Sequence, residues 1–185
     1  MKVQNLSQNL SYQAFCAATN QNPPKQIAFG AKPIPDAVLS SIKSQLLNDK
    51  VKDIDIYCHF STDEDSINSS AVFSNWLKSH GKKSNICIDK RDVKDLYFEP
   101  SKFSLKHGGK PADKAVILDF NDKGRLPAPL KSLFAKNKES NILGLDHHIV
   151  GQGAINGLYI DDTARSCCSV VYRFLEGLKE KITKT

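Results

Sequence analysis

Several features that mark particular classes of protein are missing from this sequence of 185 residues. No apolar stretch approaches the length of a membrane span, and the N-terminus lacks the charged-then-apolar pattern of a secretion signal. The five cysteines are odd in number and include no CxxC pair, so neither a disulfide framework nor a zinc knuckle is indicated. A reducing cytoplasm is therefore the default location.

Dense charge of one sign is also missing. The net charge is +6, and the lysines that produce it are scattered, many of them within 102–138. This excess favours anionic ligands weakly, and solubility explains it equally well. No basic run is dense enough to indicate a nucleic-acid groove, and no aromatic stacking platform is evident.

The composition that remains is ordinary for a globular protein, with a hydrophobic fraction of 40% and a charged fraction of 25%. Residues 1–34 are rich in Asn and Gln, contain the Pro23-Pro24 break and show no sustained periodicity, which predicts a flexible N-terminal tail. No repeat or linker divides residues 35–185, so we expect them to form one domain.

Helical patterns and short apolar runs alternate along that domain. Helices are predicted at 35–49, after residue 66, at 126–137 and after residue 163. Strands are predicted at 53–60, 84–90, 114–120, within 141–148 and at 158–160, and a loop with a short helix at 91–113. With right-handed crossovers, this alternation predicts an α/β fold with a mostly parallel sheet of four or five strands and helices on both faces.

Acidic and histidine side chains follow three of the predicted strands. They are His59, Asp63 and Asp65 after the first strand, Asp119 at the end of the third, and Asp146, His147 and His148 at the end of the apolar run NILGLDHH. Open α/β sheets bind ligands at the carboxyl edge of their strands, where these groups would meet. Imidazole and carboxylate together suit borderline metals such as manganese, zinc or iron.

Structural roles are the alternative for these residues. Asp65 or Ser66 could cap the following helix, and Asp146–His148 could be a solvated strand end. Capping explains one acid, but not a histidine and three acids together. If the strands are neighbours, each like-charge pair at ~4 Å costs roughly 4 kcal/mol at an effective dielectric near 20. Divalent cations remove that cost, so the pattern favours a site for two of them, suited to phosphoester or phosphoanhydride hydrolysis.

Four segments resemble, in this order, the motifs of the DHH phosphoesterase family: HFSTDEDSINSS, AVILDFND, LGLDHHIV and YIDDTARSCCSVVYRFLE. The family includes RecJ-type exonucleases, oligoribonucleases, cyclic-dinucleotide phosphodiesterases and family II inorganic pyrophosphatases. The resemblance covers about residues 50–180, and its combination of H-x-x-x-D-x-D with DHH is quite specific. It implies a Rossmann-like catalytic domain.

The resemblance also implies a pair of divalent cations, most of all Mn²⁺, with Mg²⁺ or Co²⁺ as alternatives. His59 and Asp63 would hold one ion, Asp65 and His147 the other, and Asp119 would bridge both.

Other residues would meet the substrate. His148 would face the substrate phosphate and act in catalysis with Asp119, while Asp146 would orient its neighbours from behind. Ser166 matches a small-hydroxyl position of the family. Arg125, in the turn after the third strand, could meet an anionic ligand or could cap a surface.

The sequence departs from the family pattern in two regions. The first motif has Thr62-Asp63-Glu64-Asp65 where Pro-Asp-Gly-Asp is frequent, and Asn68 stands where glycine is usual. The family's fourth motif, a further aspartate beyond the last helix, and the usual C-terminal substrate-binding domain are not found before Thr185. Asp161 or Asp162 could substitute for that aspartate. We therefore expect a truncated gene product, a subunit completed by another chain or a partner in an oligomer, or a member with weakened catalysis.

The function we expect is hydrolysis of phosphoester bonds in short single-stranded oligonucleotides or nucleotide phosphates, by a two-metal hydroxide mechanism. One alternative is hydrolysis of pyrophosphate or polyphosphate. Another is a module that binds metal and nucleotide with little turnover and is completed by another chain. The intact ligands of the first three motifs favour an enzyme, whereas the missing C-terminal domain favours the binding module. No membrane partner is expected.

Overall fold

The computed structural model describes residues 32–89, 92, 100–151 and 153–180, all within the compact unit Ala31–Thr185. The predicted tail 1–34 lies outside the described residues up to residue 31. Ile34, by contrast, is buried in the core, so the packed domain begins slightly before the predicted boundary at residue 35. None of the helices in the described part is long and apolar enough to span a bilayer.

Strands and helices alternate along the described residues. The strands are β1 (Asp53–Tyr57), β2 (Lys83–Cys87), β3 (Leu105–Lys106), β4 (Lys114–Leu118), β5 (Ile142–Asp146) and β6 (Leu158–Ile160). The α-helices are α1 (Asp36–Leu46), α2 (Glu64–Ser79), α3 (Ala128–Phe134) and α4 (Cys167–Gly177). Short 3₁₀ turns occupy Pro100–Lys102, Lys123–Arg125 and Glu139–Asn141.

The strands form one parallel sheet in the order β3-β2-β1-β4-β5-β6. The predicted α/β class and parallel sheet are confirmed, but the described residues form a sheet of six strands where four or five are expected from the sequence. The additional strand is β3, which lies in the segment 91–113 predicted as a loop with a short helix. It pairs with β2 through only two residues, which is too short for any periodic pattern.

Alternate residues of the central strands point to opposite faces of the sheet. Ile54 and Ile56 of β1 pack in the larger core with α1, α2 and α4. Tyr57 of β1 and Ile117 of β4 pack in a second core with α3 on the other face. Helices therefore cover both faces, as predicted.

Gly144 brings the strands that carry the candidate site close together. A Cβ atom at this position would overlap the carbonyl oxygen of Ile117 in the neighbouring strand β4. Only glycine fits this approach, because protein interiors are close-packed and backbone atoms cannot move aside cheaply. The glycine within NILGLDHH thus helps to fix the position of β5 relative to β4.

Candidate metal and active site

The strand order reverses between β1 and β4, because the chain extends the sheet first through β2 and β3 and then through β5 and β6. Open α/β sheets bind ligands in the crevice at such a switch point. His59 lies just past β1, Asp119 directly follows β4, and β5 ends at Asp146. Because β4 pairs with both β1 and β5, the three strand ends are neighbours.

His59 faces two carboxylates. Its Nε2 lies 3.4 Å from Asp119 Oδ2 and 3.7 Å from Asp63 Oδ1, while its Nδ1 is 2.7 Å from the carbonyl oxygen of Phe60. A carbonyl oxygen only accepts, so Nδ1 carries a proton, and in the neutral form of the ring the Nε2 lone pair faces the carboxylates. Metal-ligating histidines commonly use this arrangement.

Asp63 is also the N-cap of α2. Its Oδ1 accepts hydrogen bonds from the backbone N–H of Asp65 at 3.1 Å and of Ser66 at 3.0 Å. The structural alternative that Asp65 or Ser66 caps this helix is therefore wrong. The helix begins earlier, at Glu64, so the capping residue is the one before it.

His147 reaches Asp119 from the other side. Its Nε2 lies 3.2 Å from Asp119 Oδ1, and its Nδ1 lies 3.3 Å from the carbonyl oxygen of Ala164. Again Nδ1 donates to a carbonyl and Nε2 faces an acid. Each oxygen of Asp119 thus faces a different imidazole, an arrangement in which one carboxylate could serve two ions.

Asp65 also contacts the start of α4, a contact that the sequence did not indicate. Its two oxygens accept hydrogen bonds from the backbone N–H of Cys167 at 2.7 Å and of Cys168 at 2.9 Å, at the start of α4. A carboxylate is stabilised at a helix N-terminus by these amides and by the helix dipole. Asp65 Oδ2 nevertheless lies 3.6 Å from Nε2 of His147, the residue with which the family resemblance pairs it.

Two groups among the described residues have ligand atoms that all lie within 4.8 Å of one another: His59, Asp63 and Asp119, and Asp119, His147 and His148. Asp119 belongs to both groups. The second group contains His148 beside Asp119 and His147, whereas Asp65, which the family resemblance assigns to the second ion, accepts hydrogen bonds from the start of α4.

The electrostatics of the cluster fit a cation. Asp119 is 1% exposed and has a left-handed backbone with φ of 70°. Burial raises the pKa of its carboxyl group; the interaction with His59 opposes this, and the charges of Asp65 and Asp63 add to it. Burial lowers the pKa of His59, but the interaction with Asp119, 3.4 Å away, and the hydrogen bond to the carbonyl oxygen of Phe60 outweigh this and the pKa is raised. Nε2 of His59 and Oδ1 of Asp119 are buried without a hydrogen-bond partner, which a bound cation would correct.

His148 has a carboxylate behind it and a guanidinium in front. Its Nδ1 lies 2.8 Å from Oδ1 of the fully buried Asp146, and its Nε2 lies 3.5 Å from Nη1 of Arg125. The other oxygen of Asp146 accepts a hydrogen bond from Nδ2 of Asn121 at 2.6 Å. These contacts support the orienting role predicted for Asp146.

An open cleft of about 680 Å³ lies beside the two histidines. Its walls are formed by Asn121, Asp122, Arg125, His147, His148, Ile149, Gly151, Asp162, Ala164 and Arg165. Guanidinium groups bind phosphate oxygens in a fixed planar geometry, so a wall with two arginines suits an anionic ligand. The volume is in the range of small-molecule sites.

The remaining candidates lie around the start of α4. Ser166 is its N-cap, and its Oγ accepts a hydrogen bond from the backbone N–H of Ser169 at 3.1 Å. Asp161 is buried; its Oδ2 lies 2.7 Å from Nη1 of Arg173, and its Oδ1 accepts from Thr163. Burial raises the pKa of Asp161, but these hydrogen bonds outweigh it and hold the pKa below its usual value. Of the two acids considered as a fourth-motif ligand, Asp162 is the one that lines the cleft.

Sequence reasoning missed two residues of the site. Asn121 lies within the family-like segment AVILDFND, but its position in a turn after a strand gives it an ordinary local explanation. Arg165 lines the cleft from the segment before α4, and nothing in its local sequence distinguishes it from a surface arginine.

Among known proteins, the DHH family, N-terminal domain, matches residues 53–185 of this chain. A solved structure of an exopolyphosphatase-related protein from Bacteroides fragilis has a similar fold, with a TM-score of 0.60 and 21% sequence identity over 78% of this chain and 44% of that protein. RecJ from Thermus thermophilus, in complex with Mn²⁺, has a TM-score of 0.51 and 14% identity over 98% of this chain and 29% of RecJ. This chain therefore spans less than half of either protein. No curated protein matches it.

Proposed function

Because the chain belongs to the DHH family, we propose that it is a divalent-metal-dependent phosphoesterase that hydrolyses phosphoester bonds of short oligonucleotides or nucleotide phosphates. The family resemblance expected from the sequence is thereby confirmed. The observation that carries the proposal is Asp119, whose buried carboxylate lies between the Nε2 atoms of His59 and His147.

We assign one cation to His59, Asp63 and Asp119, whose ligand atoms already converge. A second cation would be held by Asp119 and His147, together with Asp65, as the family resemblance implies, or with His148, whose ligand atom lies within 4.8 Å of theirs. Mn²⁺ is the first candidate, with Mg²⁺ or Co²⁺ as alternatives, because imidazole and carboxylate suit borderline ions and the similar RecJ structure contains Mn²⁺. When bound, such a pair supplies a nucleophile at neutral pH and neutralises charge on phosphoryl oxygens.

The chain's own residues would hold the substrate in the cleft. Arg125 lies where its guanidinium can donate to phosphate oxygens, 3.5 Å from Nε2 of His148. If Asp65 rather than His148 completes the second ion's ligands, Nδ1 of His148 donates to Asp146, and its Nε2 can take up a proton from water and donate it to the leaving oxygen. Ser166 retains its hydroxyl proton as a donor for a phosphate oxygen, and this role stays a prediction.

The test is turnover of bis-p-nitrophenyl phosphate with added manganese, compared between wild type and Asp119→Ala. We expect manganese-dependent turnover in the wild type and a loss of at least about 100-fold in the variant, because Asp119 belongs to both ligand groups. Asp113→Ala is the matched control, since Asp113 precedes β4 at the opposite edge of the sheet. Turnover that survives in Asp119→Ala would refute the assignment.

A second candidate is hydrolysis of pyrophosphate or polyphosphate, which the similarity to an exopolyphosphatase-related protein and the two cleft arginines favour. Release of inorganic phosphate from pyrophosphate or polyphosphate, without cleavage of a dinucleotide, would select it. Manganese binding in calorimetry without turnover of either substrate would select the alternative of a metal- or nucleotide-binding module completed by another chain.

We also propose that the protein is located in the cytoplasm, where cysteines stay reduced. The cysteines of the described residues are free thiols, at positions 58, 87, 167 and 168. Burial raises the pKa of Cys58 to about 12, so its thiol is inert at neutral pH.

A further inference from the structure

The carboxylate of Asp146 is fully buried, and each of its oxygens has a donor. We propose that Asn121 is a positioning residue of this site, which holds Asp146 and through it fixes the imidazole of His148 with Nε2 toward the cleft. The expected effect of Asn121 on turnover rests on the proposed function, whereas its expected effect on the orientation and tautomer of His148 does not.

Two hydrogen bonds connect the amide to the imidazole. Nδ2 of Asn121 donates to Asp146 Oδ2 at 2.6 Å, and Nδ1 of His148 donates to Asp146 Oδ1 at 2.8 Å. Asn121 is 4% exposed, so water does not replace its amide easily. Hydrogen bonds to a buried carboxylate are charge-assisted and short, and they are the strong ones. Asp146 can therefore neither rotate nor exchange partners without losing a strong bond.

Asn121 is itself fixed by the loop that follows His148. Its Nδ2 lies 3.1 Å from the carbonyl oxygen of His148, its Oδ1 accepts from the N–H of Gly151 at 3.3 Å, and its carbonyl oxygen accepts from the N–H of Ile155 at 2.7 Å. A Cβ atom at Gly153 would overlap the carboxylate of Asp122. The glycine-rich passage after the DHH residues is thus docked onto the turn that carries Asn121.

The tautomer of His148 is the property that this arrangement sets. A neutral imidazole carries its proton on one nitrogen, and the partner of the other nitrogen decides which. With Asp146 held as an acceptor, Nδ1 is the donor and Nε2 keeps its lone pair beside Arg125. Without the donor at position 121, one oxygen of Asp146 has no partner and the carboxylate turns away from His148.

The first experiment observes that tautomer directly. Long-range ¹H–¹⁵N spectra of the histidine rings would be recorded on metal-free protein at one fixed pH, with His148→Gln to assign the signal. We expect the Nδ1–H form of His148 in the wild type and its loss in Asn121→Asp, which has nearly the same shape but no amide donor. Asn137→Asp is the matched control, because the Asn137 amide also donates within the fold, to Tyr57 and Phe134, away from the site. An unchanged His148 signal in Asn121→Asp would overturn the proposal.

The second experiment is rescue by exchanging the two side chains. We expect kcat for bis-p-nitrophenyl phosphate to fall about 10–100-fold in Asn121→Asp, with KM nearly unchanged, as for other residues that orient site groups. In Asn121→Asp combined with Asp146→Asn, the amide at position 146 can donate to the carboxylate at 121 while its oxygen accepts from His148. Recovery of kcat and of the Nδ1–H signal in the double variant would support the proposal.

A double variant that is no better than Asn121→Asp would show that Asn121 only anchors the loop 149–155, and would overturn the proposal. If the wild type cleaves no phosphoester at all, the proposed function fails, but the imidazole spectra still decide this inference.

Discussion

Replacing Asp119 by asparagine should stabilise the metal-free protein and abolish its response to manganese. The carboxylate of Asp119 is buried, one oxygen has no hydrogen-bond partner, and burial with nearby acids raises its pKa. The Asp119→Asn change removes the negative charge and keeps nearly the same side-chain shape. Asparagine also tolerates the left-handed backbone that this position requires.

The expected magnitudes follow from these contacts. A buried polar group without a partner costs about 1–3 kcal/mol, and we expect Asp119→Asn to recover about 1 kcal/mol of unfolding free energy. For a domain of this size that raises Tm by ~2–4 °C. Manganese at about 100 times its Kd should stabilise the wild type by about 2.7 kcal/mol, or ~5–10 °C, and should leave the variant unchanged.

The stability of the metal-free protein should change with pH in a definite direction. Because the pKa values of Asp119 and His59 are raised in the folded state, that state binds more protons than the unfolded chain near neutral pH. The metal-free wild type should therefore become more stable as pH falls from neutral toward the ordinary aspartate pKa of about 3.9. The advantage of Asp119→Asn should shrink over the same range.

Thermal unfolding with and without manganese is the assay, and Asp113→Asn is the control. Asp113 precedes β4 at the opposite edge and accepts hydrogen bonds from the backbone N–H of Lys52 and Asp53, so this variant should keep the full manganese shift. The reasoning would be refuted if metal-free Asp119→Asn were less stable than wild type. That result would mean that the histidines stabilise the charge of Asp119 more than burial opposes it.

Three further predictions concern the elements that support the site. Gly144→Ala should lower the unfolding free energy by about 1–3 kcal/mol, because the added Cβ overlaps the adjacent strand, whereas Gly108→Ala, with open space around it, should be neutral in the same denaturant titration. Ser166→Ala should cost about 1 kcal/mol of stability as a lost N-cap, and a rise in KM beside this would reveal contact with phosphate. Asp161→Asn should cost about 2 kcal/mol at pH 7 and less in acid, because the lowered pKa of Asp161 gives stability that is present above pH ~4 and lost as pH falls.

The position of the candidate site could be predicted from the sequence because its acidic and histidine residues directly follow the apolar runs that form strands. His59, Asp119 and the residues from Asp146 each follow a strand, and parallel strands present such residues at one edge. The prediction assumed that these strands are neighbours, which the sequence alone does not show. In the structure β4 lies between β1 and β5, so Asp119 is the acid that lies between His59 and His147.

Asp65 shows why individual roles were harder to predict. Its position in the first motif gives no sign that its carboxylate meets Cys167 and Cys168, about a hundred positions along the chain. Local patterns encode the start of a helix through the residues next to it, as with Asp63 and α2. A carboxylate that caps a distant helix depends on packing, which short-range patterns do not contain.

Asn121 could not be recognised as a site residue from its own surroundings, since asparagine in a turn after a strand has an ordinary local explanation. The need for a hydrogen-bond donor at this place follows from the burial of Asp146. Once that carboxylate is buried at the end of β5, both of its oxygens need donors, and His148 satisfies only one. Residues that follow the neighbouring strands β4 and β6 lie at the same edge, and the turn after β4 supplies the second donor through Asn121. A buried acid in a sequence motif therefore predicts a polar partner in an adjacent turn, even where that partner also has an ordinary local explanation.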